Sequence, residues 1–444
     1  MLQFLKTLYI HHRFYWVLSG IAVGFLISFW WSILFSLSWI AITVLGVAFV
    51  LDILLLYQNS RGIEAKRIVP DKFSIGDNNP VPITISNFYR FNVLIEVIDE
   101  LPVQFQERDF SHRVLMRGES SYQFEYLIRP TERGTYYFGN LNIYASSALK
   151  LIKRKYQFQN EDMVLVYPSI IQMQKYDFLA LHNNLLDSGL KKIRRLGHTQ
   201  EFEQIKEYVQ GDDFRTVNWK ATAKRNQLMV NQYQDEKSQP IYALIDSGRV
   251  MKMPFNGLKL LDYAINATLA FSNVALKKHD KVGLGVFSKQ IDQYIQATSG
   301  LPHLNRILES LYNIDTRFHD SDYSLLYGQL KRKVTQRSLL LLFTNFEHSS
   351  ALKRQIPYLQ AMAKKHMLVV IIFENTELDV IVSEPAQSLQ NIYHKTIAQK
   401  FSYEKTLMIK ELQKHKIQSI LTAPEELTIN TINKYLEIKA RGLL

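Results

Sequence analysis

FYWVLSGIAVGFLISFWWSILFSLSWIAITVLGVAFVLDILLLY, residues 14–57, is the stretch that decides the architecture of this chain. Its 44 residues contain one charged side chain, Asp52, and no proline. An α-helix rises about 1.5 Å per residue and the hydrocarbon core of a bilayer is about 30 Å thick, so about 20 residues cross it once. The stretch therefore predicts a membrane anchor within residues 1–60. We expect a hairpin of two transmembrane helices, about 14–30 and 34–57.

The aromatic residues indicate how this hairpin lies in the bilayer. A turn between the helices places Trp30 and Trp31 at the far interface, where indole rings settle. Asp52 is then expected about a turn and a half inside the near interface, where it can reach the headgroups or a neighbouring helix. A cleaved signal peptide before an exported domain is the alternative, but the apolar stretch is too long and no Ala-x-Ala site follows it.

The basic residues predict the orientation of the anchor. Positive charges flank the hairpin on both sides and are missing from its turn; they are Lys6, Arg13, Arg61, Lys66 and Arg67. Cytoplasmic flanks are enriched in such residues. We therefore expect a protein of the cytoplasmic (inner) membrane, with both termini and the soluble domains in the cytoplasm.

The composition limits what the rest of the chain does. The 444 residues are too many for a single core, so two or three domains are expected. The chain has no cysteine, which excludes disulfides, thiolate nucleophiles and cysteine-bound zinc. A net charge of +12 suits anionic lipid, an acidic protein or nucleic acid. Aromatic residues do not interleave with the basic runs, which argues against a nucleic-acid partner.

Residues 62–168 alternate between apolar and polar side chains, as strands with one buried face do. The alternation is plain in Val81–Ser86 and in Tyr122–Ile128. Turn-forming residues separate the runs, as in Gly76–Pro80 and Pro130–Gly134. About seven short strands fit, which predicts a β-sandwich of the immunoglobulin-like type.

Residues 240–444 alternate between apolar β runs and helical stretches, which predicts a doubly wound α/β domain with helices on both faces of its sheet. The predicted strands are Ile241–Ile245, Lys281–Phe287, Ser338–Phe343, Leu368–Phe373 and Ile417–Leu421. The predicted helices cover about 257–277, 302–313, 351–365, 403–414 and 425–437. Ligands of such domains bind at the carboxyl ends of the strands.

The first of these strands runs into a loop, Asp246-Ser247-Gly248-Arg249-Val250, that resembles the metal site of a von Willebrand factor A domain. That site uses Asp-x-Ser-x-Ser together with a threonine and an aspartate from later loops. Here the serine positions read Gly248 and Val250, and the later positions read Thr344 and Asn345. One carboxylate among neutral oxygens, including that of Ser247, binds Mg²⁺ poorly. We therefore expect no cofactor and a role for Asp246 as a loop or helix cap.

Between these domains, residues 169–239 contain a distinctive stretch, GHTQEFEQIKEYVQGDDFRTVNWKATAK at 197–224. It resembles the signature of the family catalogued as domain of unknown function 58. The matching residues are Gly197, Glu201, Phe202, Tyr208, Gly211, Asp212, Arg215, Trp219, Ala221 and Ala223. Lys206 and Lys224 stand where arginine is common in the family. The resemblance extends over nearly the whole chain.

The resemblance implies a membrane-anchored protein that works with MoxR-type AAA+ ATPases and with other von Willebrand-domain membrane proteins, in assembly or envelope maintenance. Two readings of the signature stay open. One is a clasp between neighbouring domains, with Asp212 or Asp213 paired to Arg215 or Lys220. The other is a docking surface for a partner. Its residues would be Glu201, Phe202, Lys206, Tyr208, Gly211, Asp212, Arg215, Trp219, Lys220, Lys224 and Arg225.

The motifs of common enzymes are missing from the sequence. It contains no Gly-x4-Gly-Lys-Ser/Thr loop, no His-Glu-x2-His and no Gly-x-Ser-x-Gly. We therefore expect an interaction or scaffold protein rather than an enzyme. The alternative is a metal-assisted hydrolase at the strand ends of the C-terminal domain, with Glu347 and His348 beside Asp246.

Overall fold

A computed structural model of the chain describes residues 6–59, 61–107, 110–158, 162–173, 200–210, 212, 214–235, 240–383, 385 and 388–442. The chain divides into two compact units, Met1–Tyr167 and Pro168–Leu444. The first unit therefore joins the predicted anchor (1–60) and the predicted sandwich (62–168), and the second joins the predicted linker and α/β regions.

In the first unit, eleven described strands form one sheet of five and two of three. They are β1 Leu8–Ile10, β2 Ile63–Arg67, β3 Lys72–Ser74, β4 Asn79–Asn87, β5 Val93–Asp99, β6 His112–Met116, β7 Ser120–Ile128, β8 Gly134–Tyr137, β9 Leu141–Ser146, β10 Ile152–Phe158 and β11 Met163–Tyr167. The sheet β1-β10-β9-β5-β6 and the sheet β2-β4-β7 bury a common apolar core. The predicted strands near Val81 and Tyr122 are confirmed as β4 and β7, which pair with each other.

The apolar stretch forms two helices, α1 (His12–Ile27) and α2 (Ile33–Tyr57). Among the described residues, α2 is long and apolar enough to cross a membrane, whereas α1 is apolar but shorter. Compared with the predicted 14–30 and 34–57, α1 begins two residues and ends three residues earlier, and α2 begins one residue earlier. Phe29, Trp30 and Trp31 in the connecting turn are exposed.

The position expected for Asp52, beside headgroups or a neighbouring helix, is wrong. Its side chain is fully buried against the loop before β10 and accepts hydrogen bonds from Ser147 Oγ and from the amides of Leu151 and Ile152, at 3.0 and 3.1 Å for the amides. Leu56 of the same helix belongs to the sandwich core. The last turns of α2 are therefore part of the β domain, because they carry side chains that complete its interior.

The second unit contains a six-stranded sheet in the order β18-β17-β14-β19-β20-β21. Its strands are β14 Ile241–Asp246, β17 Val282–Phe287, β18 Ile291–Thr298, β19 Leu339–Phe343, β20 Met367–Phe373 and β21 Gln418–Thr422. Five are parallel, as predicted; β18, which the sequence analysis missed, is antiparallel to β17. A short hairpin, β15 (Pro254–Phe255) and β16 (Leu258–Lys259), precedes the first helix of the sheet.

Helices cover both faces of this sheet, which confirms that part of the prediction. One face packs against α4 (Leu260–Lys277), α5 (Pro302–Tyr312) and α10 (Leu427–Ala440). The other packs against α6 (Tyr323–Lys333), α7 (Ser349–Lys365) and the C-terminal half of α9 (Leu389–Lys414). A further helix, α8 (Thr376–Ser383), precedes α9.

Candidate functional site

The signature stretch forms a separate hairpin module in the second unit. Its strands β12 (Gln200–Glu207) and β13 (Met229–Asp235) pair antiparallel, and their connection contains the short helix α3 (Trp219–Arg225). The Asn218 side chain caps α3 by accepting a 3.0 Å hydrogen bond from the Ala221 amide. The module brings residues 206–225 close together, which the hypothesis of a docking surface for a partner requires.

An ion pair fixes the start of the connection. Lys206 Nζ donates to Asp212 Oδ1 at 2.9 Å, and the Val209 amide donates to Asp212 Oδ2 at 3.0 Å. The hydrogen bond from Lys206 is the main reason that the pKa of Asp212 is lowered. Asp212, one of the two acidic residues expected to pair with Arg215 or Lys220, thus pairs with Lys206, and the alternative, Asp213, lies outside the described residues. Lys206 is nearer because it lies on the strand that leads into the turn.

An aromatic row with a basic neighbourhood lies on the surface of the module. Tyr208 contacts Phe214 edge to face, with ring centroids 6.3 Å apart, and Phe214 contacts Trp219 at 6.2 Å. Phe214 and Trp219 are 58% and 65% exposed. The basic residues of this part of the chain are also exposed: Arg215, Lys220, Lys224 and Arg225. Gly197, Gly211 and Asp213 lie outside the described residues, as do the side chains of Glu201 and Phe202.

The loops at the carboxyl ends of β14 and β19 surround Asp246. Its Oδ1 accepts from the Gly248 amide at 2.8 Å and from Ser321 Oγ. Its Oδ2 accepts from Thr344 Oγ1 at 2.7 Å and from the Tyr323 hydroxyl at 3.3 Å. Burial raises the pKa of this carboxyl, while the four hydrogen bonds act in the opposite direction.

The residues around Asp246 do not fit the magnesium that a von Willebrand factor A site holds. Both carboxylate oxygens are already engaged by hydrogen bonds, and the Tyr323 hydroxyl, 3.3 Å from Oδ2, also lies 2.6 Å from Thr344 Oγ1. A Cβ at position 248 would lie 2.2 Å from Ser321 Oγ and 3.0 Å from the His319 carbonyl oxygen, so a serine there would require its neighbours to shift. Ser247 Oγ turns away to Asp292 Oδ2, at 3.0 Å. This part of the chain is a buried polar cluster that joins two strand ends.

Asn345 and His348, which follow β19, make contacts with residues other than Asp246. Asn345 Oδ1 accepts from Lys405 Nζ at 2.5 Å, and Lys405 also donates to the Phe346 carbonyl at 2.7 Å. His348 Nδ1 lies 3.7 Å from a carboxylate oxygen of Glu404. Among the described residues, no three His, Asp or Glu side chains are grouped as metal ligands.

A cavity of about 280 Å³ opens beside Lys405 at the carboxyl ends of β19 and β20. Its lining is mostly apolar and includes Phe255, Phe373, Leu378 and Phe401. Burial lowers the pKa of Lys405 to about 8, although Glu347 opposes the change. Neither this lysine nor this cavity was predicted from the sequence. The rule that ligands of such domains bind at the carboxyl ends of the strands does indicate the edge of the sheet at which the cavity lies.

Comparisons with known proteins agree with the signature. Residues 204–384 match the family described as "Protein of unknown function DUF58". An uncharacterised protein of Bacillus subtilis (strain 168), YeaD, is 26% identical over 177 residues, which are 38% of this chain and 44% of that protein. The match thus spans less than half the length of the relative.

Solved structures give weak likenesses. BatB, a conserved hypothetical protein from Bacteroides thetaiotaomicron, has a TM-score of 0.30 at 12% identity, covering 46% of this chain and 99% of that one. The CARDB domain of the PF1109 protein from Pyrococcus furiosus has a TM-score of 0.18 at 13% identity, covering 23% and 91%. The family match and the Bacillus relative, rather than these structures, show the similarity of this chain to the DUF58 family of proteins of unknown function, over residues 204–384 for the family model.

Proposed function

We propose that this protein is a membrane-anchored, non-enzymatic interaction protein, and that the signature module is its docking surface for a partner. The observation that carries the proposal is the exposure of Phe214 and Trp219 beside four basic side chains. Tryptophan and arginine are enriched among the residues that dominate binding energy in interfaces, and large aromatic groups gain most when they are desolvated. An internal clasp would bury these rings.

The partners that we propose are a MoxR-type AAA+ ATPase and other von Willebrand-domain membrane proteins of the same assembly or envelope-maintenance system, as the family resemblance implies. In this proposal the sheet of the second unit is a von Willebrand factor A-like domain whose metal site has become the polar cluster at Asp246. The hydrogen bonds that engage both oxygens of that carboxylate support this interpretation over a metal-assisted hydrolase.

The hairpin α1–α2 anchors the protein in the cytoplasmic membrane, in this proposal, with both soluble units in the cytoplasm. The support is the apolar surface of α2 and the exposed tryptophans of the turn. Basic residues at both flanks of the hairpin agree with that orientation.

Charge reversal on α3 tests the docking surface. The full-length protein is tagged, solubilised from membranes of its own host in mild detergent and purified with or without an ATP analogue. We expect recovery of an AAA+ ATPase with the wild type and its loss with Lys220→Glu combined with Lys224→Glu. Lys353→Glu combined with Arg354→Glu on α7 is the control, because it makes the same charge change at exposed positions. Recovery of the ATPase by the α3 variant would exclude the module as its docking surface.

A further inference from the structure

Among the described residues, the helices α8 and α9 carry large apolar side chains that are exposed. Leu389, Tyr393, Ile397 and Phe401 follow one another at intervals of four residues along α9 and are all exposed, Leu389 by 83% and Tyr393 by 70%. Residues four apart form a ridge on a helix surface, and such ridges pack into the grooves of a second helix. The row is therefore shaped to pack against a helix.

The row leads into the cavity at the strand ends. Phe401, its last member, lines the cavity together with Leu378 of α8. The volume of about 280 Å³ is close to the lower end of known ligand pockets, about 300 Å³. A ridge that ends in an apolar cavity is the form of surface that receives an amphipathic helix with one large anchoring side chain.

The charges at the cavity indicate which helix fits. Glu347 and Glu374 line it, and Asp379 and Glu426 lie close enough to Glu374 to help burial raise its pKa. The cation there, Lys405, already donates to two neutral oxygens. Residues 389–401, which carry the row, include Lys395 and Lys400 and no acidic residue, so the acidic groups lie at the cavity end. The acidic groups at the cavity end attract a cation.

We propose that the row and the cavity together bind an amphipathic helix of a partner protein, with an apolar side chain in the cavity and a lysine or arginine beside Glu374. The surface belongs to other elements than the signature module and is a second docking site. A bilayer surface and a second copy of this chain are the competing occupants.

The test uses a synthetic 18-residue helix of leucine and lysine that carries a photoreactive benzoyl-phenylalanine as its anchor. Its affinity for the full chain in detergent is measured by fluorescence anisotropy, and the crosslink is mapped by mass spectrometry. Partition of the peptide into micelles is the same for every variant, so differences between variants report binding to the protein. No cellular partner is needed, so this result does not depend on the function proposed above.

Tyr393→Ser combined with Phe401→Ser should weaken binding at least tenfold, since interface anchors of this kind dominate affinity. Tyr403→Ser, the same change at an exposed tyrosine off the row, should alter it less than twofold. Glu374→Gln should weaken it severalfold and reduce its salt dependence. Crosslinks should map to α8 and the cavity end of α9.

Three results would overturn the proposal. One is wild-type affinity in the Tyr393/Phe401 variant. Another is equal binding of a peptide with glutamate in place of every lysine, since the acidic cavity should reject it. The third is crosslinking to lipid or to a second copy alone, which would assign the surface to the membrane or to self-association.

Discussion

Lys405 links the helix α9 to the loop after β19, at the carboxyl ends of the strands. It comes from α9, yet its ammonium group binds Asn345 Oδ1 and the Phe346 carbonyl in the loop after β19. Both acceptors are neutral, so they offset only part of the cost of burying the charge. This is why the pKa of the lysine falls to about 8.

The lowered pKa predicts how stability depends on pH. Between pH 8 and the ordinary lysine value of 10.5, Lys405 loses its proton in the folded state but keeps it in the unfolded state. The unfolded state then binds more protons, so the free energy of unfolding rises with pH, by up to about 1.4 kcal/mol per pH unit. This contribution is complete above pH 10.5 and is lost as the pH falls through 8.

Urea unfolding of the full chain, followed by circular dichroism at several pH values in this window, checks the expectation. Lys405→Met should remove this part of the rise, whereas Lys400→Met, at an exposed position of the same helix, should keep it. Parallel pH profiles for the wild type and Lys405→Met would show that the lysine titrates normally.

The positions of the residues around Asp246 could be predicted from the sequence to different extents. Asp246 ends β14 and Thr344 follows β19, so the rule that ligands bind at the carboxyl ends of parallel strands places both residues at one edge of the sheet. Ser321 and Tyr323 could not be placed, because they come from a loop and a helix start without any periodic signal. Their hydroxyls decide the chemistry, since they occupy the carboxylate that a metal would need.

At the scale of elements, α2 belongs to two environments that hydropathy cannot tell apart. A lipid bilayer and the core of a sandwich both accommodate apolar residues, so the composition of Ile33–Tyr57 predicts a single membrane span. The physical distinction lies in Asp52, whose three hydrogen-bond donors all come from the β domain. The short strand β1 was missed for a related reason, because three residues before a helix carry no measurable alternation.

Substitution of Asp52 should loosen the junction between α2 and the sandwich. Asp52→Leu leaves the buried amides of Leu151 and Ile152 without their acceptor, which costs roughly 1–3 kcal/mol for each group. Hydrogen exchange of the protein in nanodiscs should show faster exchange at these two amides.

Leu54→Ala is the matched control for that experiment, since Leu54 lies on the same helix and is 60% exposed. It should leave the exchange of both amides unchanged. Equal protection in the wild type and in Asp52→Leu would mean that the sandwich holds the loop before β10 without help from the helix.

For the whole molecule, the sequence predicted the regular elements better than the divisions between them. Apolar runs such as Leu339–Phe343 are buried on both faces of a sheet, so their assignment as strands follows from hydrophobicity alone. Domain limits depend on long-range pairing instead. β1 pairs with β10, which lies more than 100 residues later in the sequence, and the residues next to β1 give no indication of that pairing.

The lack of cysteine in the chain makes its membrane orientation directly measurable. Single cysteines can be placed in the turn between the anchor helices (Ser32→Cys), in the sandwich (Ser111→Cys) and in the α/β unit (Ser299→Cys), all at exposed positions. If basic flanks hold both ends of the hairpin in the cytoplasm, a membrane-impermeant maleimide added to intact cells should label position 32 alone. Positions 111 and 299 should react only after the membrane is opened.

Labelling of 111 and 299 in intact cells would mean that the orientation is the reverse of the one proposed. Protection of all three until lysis would mean that α1, at 16 residues and roughly 24 Å, enters the bilayer without crossing it.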